Sequence, residues 1–222
     1  MNYYVLSATQ SDICPISLSE EAVLYNHKEQ IDSEFEYGSL PWYSYKTSKN
    51  CELPRHGVLV LKNKNTKISF RNINADIYVV DSFFKEILQN YINVDFFEVE
   101  LVSSQLDKID NNDYYIFRFN EFLNYSDVFD LNKSVYRLDG DFLVLEEPHL
   151  LEEVSVNIFK INKIDSAQDT FFINETVKSE IDRINYKGIR VEDVTTAKWR
   201  DSGDFSFMLL EESEVNEFIW PI

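Results

Sequence analysis

The side chains able to do chemistry are three histidines, two cysteines and several groups of carboxylates, and their spacing decides what each could support. His27, His56 and His149 stand far apart, without the His-x-x-x-His spacing that lets one element grip a metal. They read as structural or surface residues. The pairs Glu146-Glu147, Glu152-Glu153 and Glu211-Glu212 each bring two carboxylates together, as an acid and a base would require. Neighbours on a strand point to opposite faces, so these pairs read as solvated charges. Asp107, Asp110 and Asp113, with Asn111 and Asn112, imitate a calcium loop but lack its turn glycine and its closing Glu, and read as a polar loop. The five glycines form neither a GxSxG elbow nor a phosphate-cradling run, and Cys14 and Cys51 lack CxxC spacing. The expectation is a protein without catalytic residues, cofactor or metal. The enzymatic alternative is a hydrolase working through a carboxylate site that no known motif marks.

Binding is the other use of such residues. Against 39 Asp+Glu stand 21 Lys+Arg, a net charge of −18, which repels the phosphate backbone of a nucleic acid unless a basic stripe offsets it. The nearest stripe, Lys62, Lys64, Lys67 and Arg71, alternates with Asn and Thr and reads as a solvated hairpin tip. The charge favours a basic protein partner, and it equally confers solubility. Two segments combine acids with large rings, as an interface with aromatic anchors inside a charged rim would. One holds Asp32, Glu34, Glu36, Tyr37, Trp42, Tyr43 and Tyr45; its rings could instead cover the core. The other is the tail from Glu192, with eight acids against Lys198 and Arg200, where Trp199, Asp201 and Asp204 are the candidate contacts. Phe205, Phe207, Leu209 and Trp220 argue that this tail is also partly packed.

No cationic leader precedes the first apolar run, and no apolar stretch nears the roughly 18 residues that span a bilayer. The expected location is the cytoplasm, with no membrane partner.

The elements that must position these residues follow from periodicity. Asp76–Val80 reads as a strand, Asp81 or Ser82 as the cap of a helix through Tyr91, and Phe96–Val102 as a second strand. About 93 residues later the order recurs: a strand at Asp169–Ile173, Asn174 as cap, a helix to about Ile184, and a strand at Ile189–Val194. Phe83, Phe84, Ile87, Leu88 and Tyr91 share one helical face, as do Val177, Ile181 and Ile184, and Lys85 matches Lys178. Further strands are expected at Tyr114–Phe119, Ser134–Leu138, Phe142–Leu145 and Val156–Ile161, with Asp139-Gly140-Asp141 turning a tight hairpin. Gly57–Leu61 and Lys67–Phe70 are expected to form another. The fold class is α+β, mainly antiparallel sheets with few helices and an internally repeated strand-helix-strand unit. The chain divides into halves at 1–104 and 105–222, or forms one continuous domain.

From about Asp113 to Val194 the chain resembles the bacterial polymorphic-toxin immunity proteins of immunity protein family eleven. The resemblance rests on Tyr114-Tyr-Ile-Phe117 followed by Asp127-Val-Phe-Asp130-Leu-Asn-Lys133, on Val135-Tyr-Arg-Leu138, on Ile158-Phe-Lys-Ile161, and on Phe171 to Lys178 closing with Lys187-Gly-Ile-Arg-Val191. It covers roughly half of the chain directly, and the first 55 residues and the tail after Val194 lie outside it. Two departures leave the partner-specific surface undefined: Asp95 and Phe96 stand in the first copy where the second has Gly188, and the tail runs past the usual end. The resemblance implies a cytoplasmic antidote that binds and blocks a secreted toxin, its cognate partner, in competition between bacteria. It carries no catalytic residues. A general protein-binding adaptor is the other non-enzymatic alternative.

Overall fold

The computed structural model describes residues 2–9, 11, 13–18, 21–31, 39–44, 46–74, 76–165, 170–199 and 217–222. Its strands begin with β1 (Tyr3–Ala8), β2 (Ala22–Tyr25), β3 (His56–Leu61), β4 (Phe70–Asn74) and β5 (Ile77–Asp81). Helix α1 (Ser82–Leu88) leads to β6 (Phe97–Ser103), β7 (Tyr114–Arg118), β8 (Phe122–Asn124), β9 (Val135–Asp139) and β10 (Phe142–Glu147). The last elements are β11 (Ile158–Asn162), β12 (Phe171–Asn174), α2 (Glu175–Ile181) and β13 (Ile189–Asp193). The protein is therefore α+β with mixed, mostly antiparallel sheets and two helices among the described residues. None of these helices is long and apolar enough to cross a membrane.

Two compact units divide the chain. Unit I comprises Met1–Gln10, Glu121–Asn185 and Ile189–Ile222; unit II comprises Ser11–Asn120 and Tyr186–Gly188.

Unit II is built on a six-stranded sheet in the order β2-β3-β6-β7-β5-β4. Strand β7 is antiparallel to both β5 and β6, so the chain leaves β5, forms α1, and returns parallel to it with one strand between. Every residue of Ile77–Val80 is buried, which a strand achieves only when both faces of its sheet are covered. Alternation sends Ile77 and Val79 into a cluster with Leu24, Trp42, Leu59, Leu101 and Ile116. On the opposite face Tyr78 packs against Phe70 and Phe117, with Phe84 of α1 against Phe70. Asp81 accepts the Phe84 N–H at 2.9 Å and starts the helix by satisfying a first-turn donor. Phe84, Ile87 and Leu88 are buried, but Phe83 is 60% exposed and not part of the apolar stripe. The regular helix stops at Leu88, short of Tyr91. Above it Lys85 Nζ lies 4.1 Å from the Tyr115 ring centre on β7.

Two expectations fail here. Lys67–Phe70 does not pair with Gly57–Leu61, because β3 takes β2 and β6 as neighbours while β4 takes β5. Arg71 is not at a solvated tip; it is fully buried, donating to the Pro15 and Phe70 carbonyls at 3.0 and 3.3 Å. Periodicity showed two strand signals and a loop, but strand order is set by packing across the whole sheet.

Unit I holds a five-stranded sheet, β13-β1-β12-β11-β8, in which β1 is antiparallel to both β12 and β13. Asn174 caps α2 by accepting the Thr176 and Val177 N–H groups, both at 3.1 Å. Val177 and Ile181 are buried beneath the helix, which ends at Ile181, one turn before Ile184. Lys178 Nζ sits 5.2 Å from the Tyr4 ring centre on β1. A separate core joins Tyr3, Val5, Phe129, Leu143, Phe159 and Phe172, with Phe159 and Phe172 stacked at 5.3 Å. The Asp139-Gly140-Asp141 turn is formed as expected: Asp139 faces Phe142 across a two-residue loop, and Gly140 takes φ +58°.

Candidate functional site

Among the described residues, charged side chains gather around a concavity in unit II, a groove of about 540 Å³ beside β3, β6 and β7. Strand period builds it. In Phe97-Glu98-Val99-Glu100-Leu101 the apolar residues Val99 and Leu101 enter the core, so Glu98 and Glu100 emerge together on the other face. Register sets His56 of β3 and Tyr115 of β7 on either side of Glu98, and Val58 beside Glu100. A 3-10 turn at Lys28–Gln30 brings Lys28 and Glu29, and the loop before β7 brings Lys108, Asp110 and Asp113. Five carboxylates and two lysines thus line one groove.

The pairs in the groove are exposed and exchangeable. Lys28 meets Glu100 at 2.9 Å, His27 meets Glu29 at 3.1 Å and His56 meets Glu98 at 3.3 Å. The His56 and Glu98 side chains are 80% and 68% exposed, where an ion pair contributes about 0–1 kcal/mol, so an incoming cation displaces little. Asp110 is held more firmly. It accepts the Tyr114 hydroxyl at 2.9 Å and the Asn112 backbone N–H at 3.0 Å, with Lys67 at 3.5 Å. Burial, with the Asp110 charge adding to it, pushes the Tyr114 hydroxyl far above its usual range, so it remains a donor. Among the described residues no group of His, Cys, Asp and Glu could hold a metal ion. Chemically, the groove offers exposed carboxylates that can accept hydrogen bonds from ammonium or guanidinium groups.

Of the sequence-predicted contacts Trp42, Tyr43 and Trp199 are described, and none of the three lines this groove. Trp42 is 1% exposed; its indole N–H donates to the Leu24 carbonyl at 3.1 Å. The half-buried Tyr43 hydroxyl accepts the Leu24 N–H at 2.9 Å. Trp199, in unit I, is partly buried, stacks on Phe172 at 5.9 Å, and donates to the Val194 carbonyl at 3.2 Å. Asp32, Glu34, Glu36, Tyr37, Tyr45, Asp201 and Asp204 fall outside the described residues. Sequence reasoning missed the groove because its residues come from four separate segments. The one local signal was Glu98 and Glu100, two apart in a strand.

Fold and groove together define a class, an α+β protein presenting an acidic concave surface. No protein-family model and no curated protein matches the chain.

Proposed function

We propose that this protein is a cytoplasmic immunity protein that binds and neutralises a cognate secreted toxin without catalysis, as the resemblance from Asp113 to Val194 implies. The observation that carries the reading is the gathering of Glu29, Glu98, Glu100, Asp110 and Asp113 around one groove in a chain of net charge −18. Such a surface attracts a basic partner, speeds its capture, and competes with any anionic substrate for the same cationic residues. The same potential disfavours nucleic acid. Asp32, Glu34, Glu36, Tyr37, Tyr45, Asp201 and Asp204 are further candidate toxin contacts in this account, and the toxin's active site is the surface covered.

The strand-helix-strand segments of the two units are, on this reading, copies of one duplicated element. Three parallels support it: Asp81 and Asn174 cap both helices, Lys85 and Lys178 occupy matching positions, and each lysine lies over a tyrosine of the interposed strand.

The test is co-expression with the product of the adjacent upstream reading frame, scored by survival and by co-purification. Survival of the toxin-producing cells only when this chain is made, with the two proteins eluting together, is the expected result. Equal growth with and without the chain defeats the proposal.

A further inference from the structure

Within unit I, the hairpin β9–β10 combines two features that soluble proteins ordinarily keep apart, an open strand edge and exposed apolar side chains. Among the described strands β9 is hydrogen-bonded to β10 alone. Val135, Leu138 and Phe142 are 43%, 53% and 51% exposed.

The register fixes which backbone groups face outward. Asp139 and Phe142 close the turn as a hydrogen-bonded pair, so the next pair, Leu138 and Leu143, must turn its N–H and C=O groups away from the ladder. Leu143 does so: its N–H donates to the Lys163 carbonyl at 2.7 Å and its carbonyl accepts from Asp165 N–H at 2.9 Å. Leu138 therefore directs its own N–H and C=O to the opposite, open side. Tyr136, paired with Leu145 two residues on, does the same. Arg137 and Asp139 turn theirs inward to β10. Side chains flank this edge on both faces, Leu138 on one and Val135 with Phe142 on the other, since residues directly opposite share a face.

We infer that β9 is a strand-addition site that takes an extended segment of a basic protein, paired through the outward backbone groups of Tyr136 and Leu138. Charge selects this occupant. The hairpin carries Asp139, Asp141, Glu146 and Glu147 against Arg137. A second copy of the chain would bring the same carboxylates and another net charge of −18 to the edge, and like charges across a strand pair repel. A segment alternating cationic and apolar residues matches both the acidic tip and the exposed Leu138 and Phe142. Main-chain bonds supply affinity in this mode, and the alternating side chains supply selectivity. The inference is independent of the toxin reading, because it concerns a different surface and any basic strand.

Amide exchange measured by NMR on the whole chain tests it, with a short acetylated peptide alternating lysine and valine as probe. The expected result is slowing of at least tenfold at the Tyr136 and Leu138 amides, with Arg137 and Asp139 unchanged because they already bond to β10. A peptide alternating glutamate and valine, or the lysine peptide methylated on alternate backbone nitrogens, should give less than a twofold effect. Leu138→Pro removes one outward donor without touching the ladder and should abolish the slowing; Leu138→Val keeps that donor and an apolar side chain and should retain most of the protection at Tyr136. No slowing with the lysine peptide, slowing that ignores the alternation, or equal slowing by the glutamate peptide overturns the inference. A shift of the free chain to a dimer in which the same amides are already protected also overturns it, in favour of self-association.

Discussion

Trp42 donates its indole N–H to the carbonyl of Leu24, and Tyr43, the next residue, accepts the N–H of the same leucine. Strand β2, which carries Leu24, is an edge of the unit II sheet, so two aromatic side chains do for its outer side what a neighbouring strand would. The bulk of Trp42 closes the core beneath. Edge cover and partner anchor are alternative uses of one ring, and here Trp42 serves the fold.

Replacing Trp42 should therefore be costly for stability. Trp42→Ala is expected to lose about 3–5 kcal/mol. Trp42→Phe keeps most of the apolar area and should lose about 1–3 kcal/mol, chiefly because the Leu24 carbonyl is left without its donor. Urea unfolding followed by circular dichroism measures both; a Trp42→Ala chain as stable as the parent would contradict this placement.

Gly188 offers a second stability test. It holds φ +73°, and a Cβ there would stand 2.7 Å from Arg71 Nη2 and 3.0 Å from Cys14 Cβ. The left-handed backbone alone costs an L-residue about 1–2 kcal/mol, and displacing the buried guanidinium adds to that. Gly188→Ala should lower the thermal midpoint by more than Gly140→Ala does, because Gly140 has a similar φ but open space around it. Scanning calorimetry of the two variants decides between them.

The pH dependence follows from Asp81 and Glu192. Burial raises the Asp81 carboxyl above its ordinary value of 3.8, against the bonds from Phe84 N–H and Ser69 that lower it. Burial likewise raises Glu192 above 4.5, with Arg190 opposing. A carboxyl whose folded pKa exceeds its unfolded one favours the folded state most when protonated. Its contribution is whole below the unfolded pKa and is lost as pH rises through the folded one. Asp81→Asn keeps an acceptor for the Phe84 N–H, as Asn174 does in α2, and removes the buried charge. The variant should be more stable than the parent at neutral pH and show no advantage well below 3.8. Unfolding free energies across that range would show the opposite slope if Asp81 were instead stabilised as an anion.

Much of the fold was legible because its strands alternate and its helices announce their caps. Ile77–Asp81, Tyr114–Arg118, Phe142–Glu147 and both cap residues fall within a residue or two of expectation. Phe83 misled because one helical turn offers two adjacent aromatics and only Phe84 faces the sheet. Pairing was illegible wherever strands remote in sequence meet, as β1 does with β12 and β13. The groove was hidden for the same reason: His27, His56, Glu98 and Asp110 become neighbours only once β3 and β6 lie parallel. Trp42 and Trp199 drew attention through composition, which says that a ring is present and not which side of a sheet it fills.

The groove's role should show in kinetics before affinity. Glu98→Lys with Glu100→Lys reverses two exposed charges without disturbing Val99 or Leu101. Association with a basic toxin should slow at least tenfold at low salt, with a smaller difference at high salt, while dissociation changes less. Stopped-flow mixing at two ionic strengths reads this directly. Salt-independent rates in both proteins would remove the groove from the encounter.

Titration calorimetry of the purified chain into the toxin domain encoded upstream tests the central claim. The account predicts saturable heat at a fixed stoichiometry, weakened at least tenfold by the double Glu98→Lys and Glu100→Lys exchange with the circular dichroism spectrum unchanged. Absence of saturable heat with the parent chain, at concentrations where the toxin is folded and active, would contradict it.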